Sequence, residues 1–396
     1  EDLMKCEPKT KLELIFSQID LSPLAGEIKK ESLRGPKGFS PTPILRALLA
    51  QKIEQLPSRK ALHERIKTDI VFRYVCGFKG REIPSEATLC RYEKRLNQNE
   101  ILEKFFYDLV QTLQEQGVID GNNVSVDSTF LDSYDSPIPK KHLDNNNPKA
   151  PNWGTKVDHH GNEKSCFGWK LHLRTNALSE MPVAFQFTAA NCYDGPIALP
   201  LIHIYHRLCK KNGFPKPSFY SMDAAYDAVE IYEKVRQEYG AQAIIPINSR
   251  KAKEPPVGYY DFNGTPACSM GYPMVYWGHD KNSNKFRCPH VIGKVDCPFG
   301  TAWCTDSSYG AVVKTRPSKD PRYASLPHRG SKKWKEQYNL RGSVERCFSR
   351  LKENFNLNNI RAKGYEGAKT QLILSMISLI AAKLAVEAIN QKENVA

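Results

Sequence analysis

YNLRGSVERCFSRLK, at residues 338–352, is the part of the chain from which the organisation of the rest follows. It contains one Gly and no Pro, so it predicts a helix. Four polar side chains recur in it at helical spacing: Tyr338, Arg341, Glu345 and Lys352. At about 100° per residue they would lie within roughly 60° of one another. A carboxylate held among cations on one helix face indicates a bound metal ion and a polyanionic ligand.

A neighbouring stripe of the same helix is apolar. It consists of Leu340, Val344, Cys347, Phe348, Leu351 and Phe355. Such a stripe would seat the helix on a hydrophobic core and turn the polar face into a cleft. The simpler alternative is a solvated charged face on an ordinary amphipathic helix, and the four polar residues by themselves favour it. The rest of the chain therefore has to discriminate between the two.

The composition favours a basic protein with reduced thiols. In 396 residues, Lys plus Arg exceed Asp plus Glu by 57 to 43, and the net charge of +14 is spread along the chain. This excess favours a nucleic-acid partner. Eleven Cys, an odd number without a secretory context, predict free thiols in a cytoplasmic compartment. The longest apolar run, at 372–382, is interrupted by serines and short for a bilayer span, so no membrane partner is expected.

Residues 1–120 are predicted to form a helical, DNA-binding domain. Several segments there carry apolar residues at helical spacing, with Pro and Gly between them. Ser85 stands where a helix N-cap is expected, and the helix after it would expose Arg91, Lys94 and Arg95. Short basic helices joined by tight turns suit contact with DNA. A helical bundle that only packs or dimerises is an equally good interpretation.

Residues 121–249 predict an α/β core. The segment NVSVDSTFLDS predicts a strand with its valines on one face and Asp127 on the other, and residues 135–165 predict a mobile loop. A predicted β-hairpin follows, and then a helix, a strand ending at Asp223, a helix and a strand. This order is that of the ribonuclease H-like fold, a mixed sheet flanked by helices.

Residues 250–330 predict an inserted loop-rich or β-rich subdomain, before residues 331–396 return to the core with C-terminal helices. The insertion holds four Cys: Cys268, Cys288, Cys297 and Cys304. Four thiols this close in sequence could bind Zn²⁺, with His279 or His290 as substitute ligands. Free buried thiols are the favoured alternative, because the paired C-x-x-C spacing typical of zinc sites is absent.

Three acidic residues, Asp127, Asp223 and Glu345, lie 96 and 122 residues apart, so only the fold can bring them together. Strand ends near a switch in strand order face a shared crevice, where the two aspartates would meet. Three carboxylates in one crevice require cations, and two Mg²⁺ or Mn²⁺ ions are expected. Ions about 4 Å apart would assist in-line phosphoryl displacement by water or a DNA 3′-hydroxyl. Asp132 and Asp227 are alternative ligands.

The spacing of the four polar residues resembles a known signature. Tyr338, two residues, Arg341, three residues, Glu345, six residues and Lys352 is similar to the Tyr-Arg-Glu-Lys signature of DDE transposases from bacterial insertion sequences. The resemblance extends to the segments VDSTFLD, FGWKLHL, FTAANCYDG, MDAAYD and PSEATLCRYEKRL, and covers most of residues 40–370.

This resemblance implies a ribonuclease H-like core interrupted before the last acid, and Mg²⁺-dependent cleavage at transposon ends followed by transfer into target DNA. It implies a homodimer or higher assembly on DNA in a bacterial cytoplasm, at the nucleoid. The metal-binding triad would be Asp127, Asp223 and Glu345. The DNA-contacting companions would be Tyr338, Arg341, Lys352 and Lys170. Two alternatives are a catalytically silent, transposase-derived DNA-binding regulator and a nuclease that hydrolyses DNA without joining it.

Overall fold

The N-terminal part of the chain is helical, as its periodicity predicts. The computed structural model describes residues 10–28, 38–80, 82–97, 100–145, 147–157, 161–213 and 215–393, so parts of the predicted domain 1–120 lie outside it. The described helices are α1 (Lys11–Phe16), α2 (Ser22–Ile28), α3 (Pro41–Ile53), α4 (Arg59–Thr68), α5 (Ile70–Cys76), α6 (Glu86–Leu96) and α7 (Ile101–Glu115). The hydroxyl of Ser85 accepts a hydrogen bond from the Thr88 N–H, which confirms the predicted cap of α6.

A mixed sheet forms the centre of the molecule. Its strands are β1 (Asn123–Asp132), β2 (Asn152–Val157), β3 (Glu163–Asn176), β4 (Pro182–Ala189), β5 (Phe219–Met222) and β6 (Gln242–Ile244). In space the order is β4, β3, β1, β5, β6, with β2 sharing the β4 edge of β3. The first three strands of this order are antiparallel, and β1, β5 and β6 are parallel. The predicted mixed sheet is therefore present.

Strand β2 lies in the segment 135–165, for which the sequence predicts a mobile loop, and that expectation is wrong for the described part. The reason is the length of β3, whose first half extends beyond β4 and pairs with β2 instead. Without β2, that edge would present unpaired backbone groups. The ring of Trp153 on β2 packs on Phe167 of β3, with centroids 5.3 Å apart. A local excess of Pro and Asn does not reveal such a partner.

The predicted alternation of helix and strand follows the hairpin. Helix α8 (Asp194–Asn212) precedes β5, and α9 (Val229–Gln237) precedes β6. A separate three-stranded antiparallel sheet then forms from β7 (Val275–His279), β8 (Asn284–Arg287) and β9 (Val312–Thr315). The last helices are α10 (Lys332–Asn339), α11 (Gly342–Asn354) and α12 (Gly364–Glu393).

The stretch 338–352 is not one helix, contrary to the sequence prediction. It spans the end of α10 and most of α11, with Leu340 and Arg341 between them. At this break, serine hydroxyls of the sheet donate to two helix carbonyls: Ser221 to Gln337 O at 3.1 Å and Ser125 to Leu340 O at 3.0 Å. The same carbonyls accept the N–H groups of Leu340 and Ser343, so the bonds from β5 and β1 add a second donor to each and attach the break to the sheet.

Helix α12 packs against α3 and α7, so the C-terminus of the chain supports the N-terminal helices. From Gly364 to Gln391 it is long and apolar enough to cross a membrane, which the short run at 372–382 did not suggest. In its most apolar window, 67% is buried inside the protein. A buried core helix meets the same criteria of length and composition, and the packing explains the apolar character of α12.

Candidate active site

The two aspartates of the predicted triad lie side by side on interior strands of the sheet, where β5 ends. Strands β1 and β5 are parallel, and their register pairs Val126 with Met222. The next residue of each strand is an aspartate, Asp127 on β1 and Asp223 directly after β5. Neighbouring positions of adjacent strands present their side chains on the same face of a sheet. The register thus joins two residues that are 96 positions apart in sequence.

Helix α11 brings Glu345 to the same face. Ser343, near the start of α11, donates to the hydroxyl of Ser125 at 3.0 Å, and this serine on β1 in turn donates to Leu340 O. Ser125 precedes Asp127 by two residues and therefore shares its face of the strand. The hydrogen bonds fix the start of α11 over the aspartates, while the buried Val344, Cys347 and Leu351 hold the helix on the core.

Arg341 joins two of the three acids. Its Nη1 donates to Asp127 Oδ2 at 3.1 Å and its Nη2 to Glu345 Oε1 at 2.8 Å. The Asp127 side chain is only 18% exposed, whereas Glu345 is 56% exposed. Asp223 Oδ1 accepts the N–H of Ala225 at 2.9 Å. The guanidinium therefore supplies positive charge where the carboxylates converge.

The charge balance of the site is incomplete. Burial, and then the neighbouring Asp223 carboxylate, raise the pKa of Asp127 to about 6, although Arg341 acts in the opposite direction. Burial also raises the pKa of Asp223, with a further contribution from the nearby Asp194. Arg341 and Lys156 lower the pKa of both aspartates but do not offset burial and the neighbouring acids. Oxygen donors with unmet negative charge are the ligand set that hard divalent cations prefer.

Two predicted companions lie beside this site, on different helices. Lys352 on α11 donates from Nζ to Thr129 Oγ1 at 2.7 Å and to Phe130 O at 3.2 Å, and burial lowers its pKa. Tyr338, the penultimate residue of α10, has its ring stacked on Trp334. The Arg341 guanidinium lies 5.7 Å from the Tyr338 ring centroid. The break between the helices places Tyr338 next to Arg341. Lys352, in the last turn of α11, contacts β1 two and three residues after Asp127.

Comparisons with protein families cover nearly the whole chain. Residues 115–381 match the model of the transposase DDE domain, and residues 1–95 match that of a second transposase domain. The chain belongs to the DDE transposase family. A cryo-EM structure of a piggyBac transposase synaptic complex with hairpin DNA is similar over 96% of this chain and 75% of that chain, at 12% identity and a TM-score of 0.43. No curated protein sequence matches this transposase.

The transposase has a fourth acid at the site, Asp194, to which the sequence analysis gave no role. It is the first residue of α8 and accepts a hydrogen bond from the Ser128 hydroxyl at 2.8 Å. Lys170 Nζ lies 3.2 Å from Asp194 Oδ1 and donates to Cys192 O at 2.7 Å, and the Lys170 residue is 8% exposed. The DNA contact predicted for Lys170 would require it to leave these partners. The segment FTAANCYDG contains Asp194, but an Asp at the start of a helix is usually a capping residue, so the sequence alone did not indicate its position at the site.

The two alternative aspartates have other surroundings. Asp227 is 2% exposed and accepts the Arg322 guanidinium at 2.6 Å, the Tyr232 hydroxyl at 2.9 Å and the Asn248 N–H at 2.9 Å. Asp132 lies exposed at the end of β1 and accepts the Cys166 thiol at 3.1 Å. The carboxylate of Asp227 therefore already accepts hydrogen bonds from three groups of the protein. Asp223 is the aspartate that faces Asp127 across the register of β1 and β5.

The raised pKa of Asp127 predicts a pH-dependent gain in stability for the Asp127→Asn variant. An unfolded aspartate has a pKa near 3.9, so between about pH 4 and pH 6 folding takes up a proton and wild-type stability falls as the pH rises. Above about pH 6 the Asp127 carboxylate is charged, and wild type bears the full cost of burying that charge. We therefore expect metal-free Asp127→Asn to be more stable than wild type by about 2 kcal/mol. Urea denaturation at pH 4.5 and pH 7.5 in EDTA measures the difference. An equal stability at pH 7.5 would contradict the assigned environment.

Proposed function

We propose that this transposase cleaves DNA at transposon ends and joins those ends to target DNA in a divalent-metal-dependent reaction. The observation that carries the proposal is the convergence of Asp127, Asp223 and Glu345 beside the end of β5, with Arg341 bridging two of them. These residues come from a strand, a strand end and a late helix, so only the tertiary fold brings them together. The basic composition of the chain supports a DNA substrate.

The acidic site fits Mg²⁺ or Mn²⁺ in the chemistry of its donors. Among the described residues, no three His, Cys, Asp or Glu side chains are grouped closely enough to hold a metal ion, and at this site Arg341 lies between two of the acids. Asp127, Asp223 and Glu345 would hold the ions once Arg341 turns toward a DNA phosphate. Two bound ions would supply activation of the attacking oxygen and stabilisation of the leaving oxygen.

The residues of the chain then orient the DNA. Arg341 can bind a phosphate with its bidentate fork, while Lys352 acts as a point charge anchored at β1. Tyr338 lies beside Arg341 and would add a hydroxyl donor to the same phosphate track. The exposed Arg91 and Lys94 of α6 would contact the DNA backbone further away.

The architecture of the sheet supports a ribonuclease H-like core within this proposal. Three antiparallel strands continue into two strands parallel to β1, and the acids lie at the end of β5 and on β1 beside it. Residues 250–330 would be the insertion before the catalytic helix, and residues 1–120 the DNA-binding domain. We further propose action as a homodimer or higher assembly in the bacterial nucleoid.

The proposal is tested by Mg²⁺-dependent nicking of DNA from the flanks of the transposase reading frame, with wild type and Glu345→Gln. We expect nicking by wild type only. A pre-cut end with a 3′-hydroxyl, supplied with target plasmid, should also yield joined product. Binding without cleavage, unchanged by Glu345→Gln, would indicate a silent regulator instead. Cleavage without joined product would indicate a nuclease that only hydrolyses DNA.

Replacing the phosphate-binding residues should weaken end binding. We expect Arg341→Ala and Lys352→Ala each to lower affinity for end DNA about tenfold and to flatten the dependence of log Kd on log salt by about one unit, because each removes one phosphate contact. Lys234→Ala on α9 is the control, since Lys234 pairs with Glu230 at the helix surface. Fluorescence anisotropy between 50 and 200 mM salt, roughly the range over which such contacts are lost, measures both quantities. Unaltered affinity and slope would refute the phosphate contacts.

A further inference from the structure

Four thiols of the insertion meet at one cavity. Cys268, Cys288, Cys297 and Cys304 all line a cavity of about 100 Å³, together with apolar side chains such as Met274 and Val313. They come from three places: a turn before β7, the residue after β8, and the segment that joins β8 to β9. None of the four forms a disulfide. His279, offered above as a substitute ligand, does not line the cavity and instead pairs with the Tyr276 hydroxyl.

The segment between β8 and β9 lacks a hydrophobic core of its own. From residue 290 to residue 309 it contains turns but no helix or strand, and no residue in that range is buried. Phe299 and Trp303 are 62% and 50% exposed. Long segments without regular structure are uncommon inside compact folds, and small units without a core need a covalent or metal link. The residues that this segment contributes to the cavity include its two thiols, Cys297 and Cys304.

Two of the cysteines begin tight turns of the same form. The N–H of Gly271 donates to Cys268 O at 2.8 Å, and the N–H of Gly300 donates to Cys297 O at 3.0 Å. Both glycines have positive φ, 78° and 57°, which favours Gly at the third position after each cysteine. Tight turns of this kind hold a cysteine at a bend, with its side chain free to point at a shared centre.

Cys288 and Cys297 are further placed by backbone contacts, and the Cys304 thiol donates to Thr301 O at 3.4 Å. The N–H of Cys288 donates to Ala311 O at 2.9 Å, joining the ends of the segment. A side-chain carbon at Gly310 would lie 2.6 Å from Cys288 Cβ, so only Gly fits behind this cysteine. His290 Nδ1 accepts the N–H of Cys297 at 3.2 Å. The imidazole therefore positions the Cys297 turn through its Nδ1.

We propose that Cys268, Cys288, Cys297 and Cys304 bind one structural Zn²⁺ that closes the segment between β8 and β9 onto the insertion sheet. Thiolate ligands in a tetrahedral set are typical of structural zinc, with Zn–S distances of about 2.3 Å. In the described part of the chain, no three metal-binding side chains already lie within reach of a single ion. The thiols must move inward as the ion binds, and zinc binding is therefore coupled to ordering of residues 290–309. This site is separate from the acidic one and independent of the proposed reaction.

The test measures zinc in the full-length protein. We expect wild type, purified without chelator, to contain about one Zn²⁺ per chain by elemental analysis. Cys297→Ser and Cys304→Ser, in an exposed segment, should lower the zinc content at least about fivefold, because a tetrahedral site does not tolerate loss of a thiolate. Cys90→Ser on α6 is the matched control and should leave the zinc content unchanged. A metal-free wild type, or full zinc content in both variants, would overturn the proposal.

Two further measurements use the wild-type chain and so do not depend on variant folding. Replacing Zn²⁺ by Co²⁺ should give the intense thiolate-to-metal absorption and visible bands of a tetrahedral cobalt site. Chelation should open the segment 290–309 to limited proteolysis, and added Zn²⁺ should protect it again. A cobalt spectrum typical of octahedral coordination would contradict the proposed zinc site. So would a rate of proteolysis that does not change when the metal is removed or added. Neither measurement involves DNA cleavage.

Discussion

Asp127→Asn should lower DNA end cleavage by the transposase at least about 10³-fold while leaving end binding within about twofold of wild type. The carboxamide keeps the shape of the side chain but removes the negative charge that a divalent cation requires. Cleavage of labelled end DNA under single-turnover conditions measures the rate, and binding in Ca²⁺ or EDTA measures the affinity. The same result is expected for Asp223→Asn and Glu345→Gln, since the three acids act as one unit.

The control is Asp306→Asn, which makes the same chemical change at an exposed position between β8 and β9. It should cleave at the wild-type rate. Loss of cleavage accompanied by an equal loss of binding would show that the substitution disturbs the DNA site in general. Retention of more than about a tenth of the wild-type rate by any of the three acid variants would remove that residue from the proposed triad.

Asp227→Asn should instead destabilise the whole protein, by about 3–5 kcal/mol. The Asp227 side chain is fully buried and receives two nitrogens of Arg322, so the variant leaves a guanidinium without its charge partner. This pair also connects the segment before α10 with the loop after β5. Urea or guanidinium denaturation followed by circular dichroism measures the loss as a lower midpoint.

The comparison with Asp223→Asn separates a structural aspartate from a catalytic one. Because burial raises the pKa of Asp223, removing its charge should leave metal-free stability at pH 7.5 unchanged or higher. Replacing Asp227 and Arg322 together by Leu and Met should restore part of the lost stability, since no unpaired charge remains buried. If Asp227→Asn proved stable and inactive, Asp227 would replace Asp223 in the proposed site.

Local pattern predicted much of the fold correctly. The cap at Ser85, helices α8 and α9, and strands β1 and β5 follow from periodicity and capping chemistry, which depend on residues within one or two turns. Asp127 on the first strand and Asp223 at the end of the fourth were expected to meet in one crevice, and the structure places them in adjacent register. The break at Leu340 could not be predicted, because it depends on serines of β1 and β5 more than a hundred residues away.

The sequence by itself determined which residues can perform chemistry: acids on strands, a Tyr-Arg-Glu-Lys spacing and four clustered cysteines. Only the tertiary structure decided which of them meet. In the folded chain, Arg341 bonds to Asp127 and Glu345. Asp194 pairs with Lys170, and Asp227 pairs with Arg322. The physical reason is that periodicity and propensity act over a few residues, whereas burial, ion pairing and strand register depend on partners that only the folded chain brings together.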